Sequence, residues 1–293
     1  MPAQDSPLFL GIDGGGTNCR ARISDADGIT LGSGTGGPSN ITTDLDRAAQ
    51  SILTATRAAL AEAGLTDAAF GRVHAVLGMA GGNSPREAAA LTAWPFGFAA
   101  QMVTSDAETA CVGAHDGQDG AILILGTGSQ GYGRLDGESY RVGGWGFALS
   151  DGASGAVVGH RAARRALLGF EGIKSASPFT DAIMARFDDS ETTMLAWALK
   201  AIPRDWAEFA PMVFTYAEAG DPVAIELRTE AVSEVEGLVS RLVSKGAARI
   251  ALVGGLAAVY RPHLAANLSS VLTEPLGNAL DGALRMARGL KRE

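Results

Sequence analysis

Three glycine-rich turns in the sequence each follow a short apolar segment. They are Asp13-Gly14-Gly15-Gly16-Thr17, Gly126-Thr127-Gly128-Ser129 and Gly254-Gly255. Because glycine has no Cβ and tolerates positive φ, each turn can bring backbone N–H groups close to an anion. A single turn of this kind is common in proteins of any function. Three of them, each at the end of an apolar strand, predict a site for the phosphates of a nucleotide.

These turns match neither of two widespread nucleotide-binding arrangements. Residues 126–131 fit G-x-G-x-x-G, but the dinucleotide fingerprint opens a helix, whereas a hairpin turning at Asp136-Gly137 is expected here. The chain also lacks G-x-x-x-x-G-K-[ST], so a P-loop lysine does not hold the phosphates. Backbone and hydroxyl donors, together with a divalent cation, are expected to do so.

Two aspartates could carry the chemistry of phosphoryl transfer, which needs one carboxylate linked to a metal and another at the attacking hydroxyl. Asp13 ends the first predicted strand and could hold Mg²⁺ through water, with Thr17 donating to a phosphate; alternatively, Asp13 only caps the turn. Asp106 stands where a predicted strand meets a helix and could accept the proton of the attacking hydroxyl. An aspartate at such a junction is often an N-cap, and the two roles are compatible.

A glycine-rich, apolar segment from Gly143 to Gly155 could line a pocket for the acceptor. Trp145 could cover the apolar face of a sugar, and Asp151 could accept hydrogen bonds from adjacent hydroxyls. The alternative interpretation is a tryptophan in the core and an aspartate that caps a helix.

The pattern of apolar residues predicts one α/β unit in the first part of the chain. Its predicted strands are Leu8–Ile12, Asn18–Ser24, Ile29–Gly34, Val73–Gly78 and Gln101–Thr104. A helix from Thr43 to Ala63 should stop at Gly64. A second should start at Ser84, with Glu87 completing a capping box.

The same order of strand, glycine turn and hairpin begins again at Ala121–Leu125. The remaining predicted elements are a largely helical stretch from Gly155 to Lys245, strands Arg249–Val253 and Ser269–Thr273, and a final helix from about Asn278 to Leu290. A chain of 293 residues is long enough for two domains. The sequence therefore predicts two copies of one α/β unit across a cleft. Residues 1–115, joined by the helix 278–293, form the first domain, and residues 116–277, with the helical insertion, form the second.

Composition excludes several classes of function. The net charge of −8 and the pI of about 5.1 oppose a nucleic-acid partner, which needs a basic face. Cys19 and Cys111 are too few for a disulfide framework and favour a reducing compartment. Met1 to Pro7 lacks the features of a leader, and no segment approaches the roughly 18 apolar residues of a membrane span. A cytoplasmic protein is expected, with no membrane partner.

Five segments together resemble the BadF/BadG/BcrA/BcrD ATPase and N-acetylglucosamine kinase group of the sugar kinase, Hsp70 and actin superfamily. They are GIDGGGTNCRA and ILGTGSQGYG (phosphate motifs), SDAETA (connecting motif), GGWGFALSDGASGA (sugar loop) and ALVGGLA (adenosine motif). The resemblance covers nearly the whole chain. It implies an α/β fold of two RNase H-like domains of the actin/hexokinase type around a nucleotide- and sugar-binding cleft.

The resemblance also implies roles for individual residues. Asp106 would be the general base, and Asp13 the carboxylate linked to Mg²⁺ through water. ATP would contact Asp13, Gly14, Gly15, Gly16, Thr17, Gly126, Thr127, Gly128, Ser129, Gly254 and Gly255. The sugar would contact Asn40, Trp145 and Asp151.

Residues 200–227 and 245–255 resemble bacterial glucosamine kinases more than animal N-acetylglucosamine kinases, which implies transfer from ATP to the 6-hydroxyl of glucosamine or N-acetylglucosamine. The family usually has Glu or Gln and then Gly after the aspartate of the sugar loop, whereas this chain has Gly152-Ala153. The polar contact at position 152 is therefore not implied here. A homodimer through the helical region is implied by the family.

Two other functions fit the same fold. An ATPase that activates a CoA-ester dehydratase or reductase needs cysteine thiolates for a shared iron–sulfur cluster, and neither cysteine stands in that family's motif. A sugar-sensing regulator needs a DNA-binding segment, but the first strand begins by Leu8 and the net charge is negative. The sequence therefore favours the amino-sugar kinase.

Overall fold

Residues 6–290 are described by the computed structural model of the protein, and they divide into two units. The first unit contains the residues up to Gly120 and those from Glu274 onward. The second unit is the continuous segment Ala121–Thr273. The chain thus leaves the first unit once and returns to it at its end.

The first unit is built on a five-stranded mixed sheet. Its strands are β1 (Leu8–Gly14), β2 (Cys19–Ser24), β3 (Thr30–Gly36), β4 (Val73–Met79) and β5 (Ala100–Ser105), in the order β3-β2-β1-β4-β5. Neighbours β3, β2 and β1 are antiparallel, while β1, β4 and β5 are parallel. Its helices are α1 (Leu45–Glu62), α2 (Pro85–Thr92), α3 (Asp106–Ala114) and the returning C-terminal helix, Ala279–Gly289.

Glycine spacing on β3 brings this edge strand into contact with the backbone of α1. A Cβ on Gly32, Gly34 or Gly36 would stand 2.1–2.2 Å from a carbonyl oxygen of that helix. Side chains at these positions would therefore push the helix off the sheet. Alternate glycines let an amphipathic helix lie directly on a strand.

The returning C-terminal helix covers the other face of the first sheet. Ala283, Leu284 and Ala287 are buried with Phe9 and Val76 in one apolar cluster. A second close approach occurs at Gly282, whose Cβ would stand 1.9 Å from the carbonyl oxygen of a residue in α3. The first unit thus takes part of its core from the last helix of the chain.

The second sheet repeats the strand order of the first. It contains β6 (Gly120–Leu125), β7 (Ser129–Leu135), β8 (Glu138–Gly143), β9 (Ile250–Val253) and β10 (Leu272–Thr273), in the order β10-β9-β6-β7-β8. Its helices are α4 (Gly155–Phe170), α5 (Pro178–Met184), α6 (Glu191–Ala198), α7 (Pro203–Ala207), α8 (Ala210–Glu218), α9 (Pro222–Ser244) and α10 (Ala257–Tyr260), so the C-terminal helix is α11. In both sheets the hairpin lies on one side of the first strand and the parallel strands on the other.

The α/β fold with two duplicated units, predicted from the sequence, is confirmed by this repeated topology. The predicted end of α1 is also confirmed, because Gly64 has a φ of +71°. No helix within residues 6–290 is long and apolar enough to cross a membrane. The last three residues of the predicted helix 278–293 lie outside the described part of the chain.

Two local predictions are wrong. Ser84 does cap α2, but its hydroxyl donates to the Glu87 carboxylate instead of accepting a backbone N–H, so the capping box is not formed. The strand predicted at Ser269–Thr273 is reduced to Leu272–Thr273, and a 3₁₀ turn at Ala266–Leu268 precedes it. Among the described residues, β10 is the edge strand of its sheet and pairs with two residues of β9.

We expect Gly34→Ala to destabilise the protein by about 1–3 kcal/mol, because overpacking at a close contact costs this much. The added Cβ would stand 2.1 Å from the Ala55 carbonyl oxygen and 2.7 Å from the Ala59 nitrogen. Urea unfolding followed by circular dichroism measures the change. Gly71→Ala is the matched control, because no atom lies within 4 Å of the position its Cβ would take. Equal midpoints for the two variants would show that β3 does not need its glycines.

Candidate active site

The first glycine turn follows β1, and its outer residues are open to solvent. Gly14 is buried, where a Cβ would lie 2.4 Å from the nearest side-chain atom. The Gly15 N–H donates to the Asn18 carbonyl at 2.8 Å, which closes the turn. Gly16 and Thr17 are exposed, and nothing lies within 4 Å of the Cβ position of Gly16. The Gly16 backbone and the Thr17 hydroxyl are therefore accessible to an anion.

An ion pair joins the two strands that flank this turn. Asp13 on β1 and Arg20 on β2 are direct cross-strand partners. The Arg20 Nε donates to the Asp13 Oδ2 at 3.0 Å, and a terminal guanidinium nitrogen donates to the same oxygen. Arg20 is not among the site residues predicted from the sequence, although the hairpin register places it opposite Asp13. A cationic side chain thus lies at a turn for which the sequence predicts neutral protein donors and a divalent cation.

Asp106 lies close to Asp13 because the parallel strands end together. Asp13, Gly78 and Thr104 occupy one row across β1, β4 and β5, and Asp106 follows Thr104 by two residues. Gly78 lets α3 pack directly against this row, since a Cβ there would stand 2.4 Å from the Thr109 hydroxyl oxygen. The first unit therefore brings its two candidate carboxylates to the same edge of the sheet.

The Asp106 side chain is not the cap of its helix. Ser105 is the N-cap of α3, and its hydroxyl accepts the Glu108 N–H at 3.1 Å. The Asp106 Oδ1 accepts only the Ala107 N–H, at 2.9 Å, and Oδ2 has no hydrogen-bond partner within the described chain. Burial, and to a smaller extent the Asp13 charge, raises the pKa of Asp106 above that of an ordinary aspartate. The group has one free oxygen and an increased affinity for a proton.

Asn40 lies in the loop that follows β3, in the same unit. Its Oδ1 accepts the Thr42 N–H at 3.0 Å and the Thr42 hydroxyl at 2.7 Å. Its side-chain nitrogen has no partner among the described residues. The amide is thereby fixed in orientation and keeps two N–H donors for a ligand.

The second glycine turn, after β6, is fixed to the start of α4. The Gly126 N–H donates to the Gly128 carbonyl at 2.9 Å, and the Gly155 N–H donates to the Gly126 carbonyl at 2.8 Å. Thr127 and Gly128 are exposed, as a phosphate contact requires. Ser129 is only 2% exposed and its hydroxyl has no partner, so that hydroxyl does not reach the open face of the turn.

The third glycine turn follows β9, which pairs with β6. Gly254 has a φ of +99°, and its Cβ would stand 2.4 Å from the Leu125 carbonyl oxygen. The same oxygen accepts the Leu256 N–H at 2.9 Å. Gly255 is exposed and has nothing within 4 Å of its Cβ position. The second unit therefore places two open glycine turns at the ends of adjacent parallel strands.

Asp151 closes the loop between β8 and α4. Its φ is +61°, a left-handed conformation that aspartate tolerates better than most residues. Its Oδ1 accepts the Ser150 hydroxyl at 2.8 Å and the Gly146 N–H at 3.2 Å, while Oδ2 lies 3.1 Å from the Cβ position of Gly128. Ser154, not Asp151, caps α4. The Asp151 carboxylate therefore faces the second glycine turn with one oxygen uncommitted.

Trp145 lies at the surface and not in the core, because 66% of it is exposed. The Arg141 guanidinium lies 3.8 Å from the centre of its ring. Arg141, four residues earlier near the end of β8, is not among the site residues predicted from the sequence. A cation on one face of the ring leaves the other face open for a ligand.

Comparison with known proteins agrees with this arrangement. The sequence profile of the BadF/BadG/BcrA/BcrD ATPase family matches residues 10–275. The chain belongs to this family. It is also 37% identical over 279 residues, 95% of both chains, to the glucosamine kinase GspK of Vibrio cholerae.

Solved structures of the family and its relatives have the same fold. A protein of Chromobacterium violaceum described as a candidate N-acetylglucosamine kinase is 33% identical, with a TM-score of 0.89 over 97% of this chain and 99% of that one. A ROK family glucokinase of Streptomyces griseus, 17% identical, has a TM-score of 0.56 over 97% and 99%. The predicted family and the predicted actin/hexokinase-like fold are both confirmed.

Magnesium, which family membership implies, fits the oxygen atoms at the first turn. Arg20 binds only Oδ2 of Asp13, so Oδ1 can accept a hydrogen bond from a metal-bound water. Carboxylate oxygen and water are the ligands that Mg²⁺ prefers. Within residues 6–290, no three His, Cys, Asp or Glu side chains form a cluster that could hold a metal. A single carboxylate acting through water is the arrangement predicted from the sequence.

The two cysteines are both completely buried, Cys19 in β2 and Cys111 in α3. Burial raises the pKa of Cys19 to about 12, so its thiol is protonated at neutral pH. A completely buried side chain cannot reach a cluster that is shared with a second protein chain. This geometry gives no support to an iron–sulfur cluster held by this part of the chain.

We expect the pKa of Asp106 in the free protein to lie above the ordinary value of about 3.9 and to fall in Asp13→Asn. Removing a neighbouring negative charge stabilises the carboxylate, so the shift is downward. The ¹³C carboxyl resonance of Asp106, assigned by its loss in Asp106→Asn, measures both values during a pH titration. A wild-type value at or below the ordinary one, or no change in Asp13→Asn, would contradict the described placement of the two groups.

Proposed function

We propose that the protein is an amino-sugar kinase that transfers the γ-phosphoryl group of Mg·ATP to the 6-hydroxyl of glucosamine or N-acetylglucosamine. The observation that carries the proposal is Asp106, a carboxylate with a free oxygen and a raised pKa. It lies at the same sheet edge as Asp13 and the first glycine turn. The relative named glucosamine kinase, which matches along 95% of this chain, supports the same activity.

In this proposal Asp106 is the general base. It accepts the proton of the 6-hydroxyl while that oxygen attacks the γ-phosphorus, and the bond from phosphorus to the bridging oxygen of ADP breaks. Burial raises the pKa of Asp106, which increases the basicity of its carboxylate. The products are the sugar 6-phosphate and ADP, and the proton on Asp106 returns to solvent.

The charge of the transferred group is balanced by residues of the first turn. Asp13 would hold Mg²⁺ through water, and the bound ion would neutralise phosphate charge. Arg20 is anchored by Asp13 and has a side chain that is 55% exposed, so its remaining N–H groups can donate to a phosphate oxygen. Gly14, Gly15, Gly16 and Thr17 supply further neutral donors.

The second unit contributes contacts to both substrates in this proposal. Thr127 and Gly128 meet phosphate, together with Gly126 and Ser129. Gly254 and Gly255 meet adenosine. Because the Ser129 hydroxyl is buried, Ser129 would contact phosphate through its backbone.

The sugar would be held by side chains that still have a free hydrogen-bonding group or a free ring face. Asn40 keeps its amide N–H groups, Asp151 keeps one oxygen, and Trp145 keeps one ring face. Stacking on an aromatic ring and hydrogen bonds to a carboxylate suit a polyhydroxylated ring with one apolar face.

A cytoplasmic location and a homodimer are predictions from the sequence. Size-exclusion chromatography with light scattering measures the oligomeric state.

The alternative function, an ATPase that activates a CoA-ester enzyme, is supported by no observation in the described chain beyond the shared fold. Its reaction needs a cluster held by thiolates, and both cysteines are buried. The sugar-sensing regulator is likewise not supported by any site feature.

We expect ADP release from Mg·ATP to be stimulated by glucosamine or N-acetylglucosamine more than by glucose or N-acetylmannosamine. A coupled assay that ranks the four sugars by kcat/KM measures this.

Asp106→Asn should fold normally and lose about 100-fold or more of the turnover, the usual contribution of a general base. Thermal unfolding checks its fold. If no sugar raises ADP release above the basal rate, or if Asp106→Asn keeps full activity, the proposed function or the proposed base is wrong.

We expect Asp151→Asn to raise the sugar KM about tenfold, the effect of losing a hydrogen bond to a charged group, and to change the ATP KM little. Asparagine tolerates the left-handed backbone at this position, so the fold should be kept. Asp188→Asn is the matched control, because Asp188 is exposed and has a similar φ of +55°. An ATP KM that rises more than the sugar KM would refute the sugar contact.

A further inference from the structure

Gly152, which follows the sugar-loop aspartate, leaves a space that a carboxylate from another element fills. A Cβ on Gly152 would stand 2.4 Å from the carboxyl carbon of Glu234 and 2.6 and 2.7 Å from its two oxygens. Glu234 lies on α9, 82 positions further along the chain. A carboxylate carried by α9 therefore fills the space beside position 152.

The backbone beside this carboxylate is held rigidly. The Tyr260 hydroxyl donates to the Ala153 carbonyl at 2.9 Å, and the Ser154 N–H donates to the Asp151 carbonyl at 2.7 Å. The Glu234 carboxylate therefore stands against the backbone of the residue that follows Asp151 in the chain.

One oxygen of Glu234 is available to a ligand. Oε1 accepts the Arg161 guanidinium at 3.2 Å, whereas Oε2 accepts no hydrogen bond from the described residues. Glu234 also lines a cavity of about 600 Å³ between α4 and α9, together with Arg161, Glu230 and Ser233. A cavity of this size matches those that bind small molecules. The side chain is 46% exposed, so the ion pair alone adds little stability.

We propose that Glu234 determines which amino sugar is used, by accepting a hydrogen bond from the protonated 2-amino group of glucosamine. The inference rests on the proposed function. A hydrogen bond between an ammonium and a carboxylate is roughly twice as strong as one between neutral groups. An acetamido group offers only a neutral N–H and brings an acyl group towards the space that Glu234 occupies. Glu234 therefore favours glucosamine over N-acetylglucosamine.

The test compares wild type and Glu234→Gln with glucosamine and N-acetylglucosamine at saturating ATP. Gln keeps the size and a carbonyl acceptor but loses the charge. We expect kcat/KM for glucosamine to fall about tenfold or more, as expected for losing a charged hydrogen-bond partner. The value for N-acetylglucosamine and the KM for ATP should change little. A fall that is equal for both sugars would indicate a purely structural role and overturn the inference.

Two variants separate recognition from damage to the fold. Glu230→Gln removes a carboxylate one turn earlier on α9, in the same cavity, and should leave the ratio of the two sugars unchanged. Gly152→Ala keeps Glu234 but should displace its carboxylate, and should lower selectivity for glucosamine as Glu234→Gln does. Thermal unfolding midpoints report whether each variant is folded.

The outcome also distinguishes this inference from the proposed function. A wild-type protein that phosphorylates an amino sugar but prefers N-acetylglucosamine, or whose selectivity survives in Glu234→Gln, overturns the role of Glu234 alone. A wild-type protein that phosphorylates neither sugar overturns the kinase proposal and the inference with it.

Discussion

The ion pair between Asp13 and Arg20 is the interaction on which the site of the first unit depends. Residues 8–12 of β1 are buried, and a charge at the end of a buried strand is costly unless it is paired. Arg20, directly across the hairpin, pairs with the Asp13 carboxylate and leaves one of its oxygens open. The Asp13 charge also raises the proton affinity of Asp106. One cross-strand pair thus influences both candidate catalytic carboxylates.

Much of the fold could be predicted from the sequence, because its signals are local. Short apolar runs, glycine turns and helix ends lie within a few residues of one another, and their repetition predicted two units of equal topology. Contacts between distant segments could not be predicted in the same way. The partnership of Glu234 with Gly152 joins two elements 82 positions apart, and no local pattern marks it. Ser84 gives a local example. Its sequence context fits a capping box, but its hydroxyl donates to the Glu87 carboxylate instead of accepting a backbone N–H.

The glycines show why residue type alone predicts a binding site poorly. Gly16, Gly128 and Gly255 are exposed, as an anion-binding turn requires. Gly34 and Gly282, by contrast, are glycines because the backbone of a helix lies against each of them. Both groups look alike in the sequence. Only the first group directly follows apolar strands, and this position distinguished it in the sequence. The structure confirms the position, and the binding roles are proposals.

The return of α11 to the first unit has a consequence for synthesis on the ribosome. The second unit is one continuous segment and can fold as soon as it has emerged. The first unit, although translated earlier, lacks the helix that covers one face of its sheet until the end of the chain appears. At translation rates of roughly 5–20 residues per second, that interval is about 10–30 seconds. During it Phe9 and Val76 lack their partners on α11, so the nascent chain must be protected from aggregation longest at its oldest part.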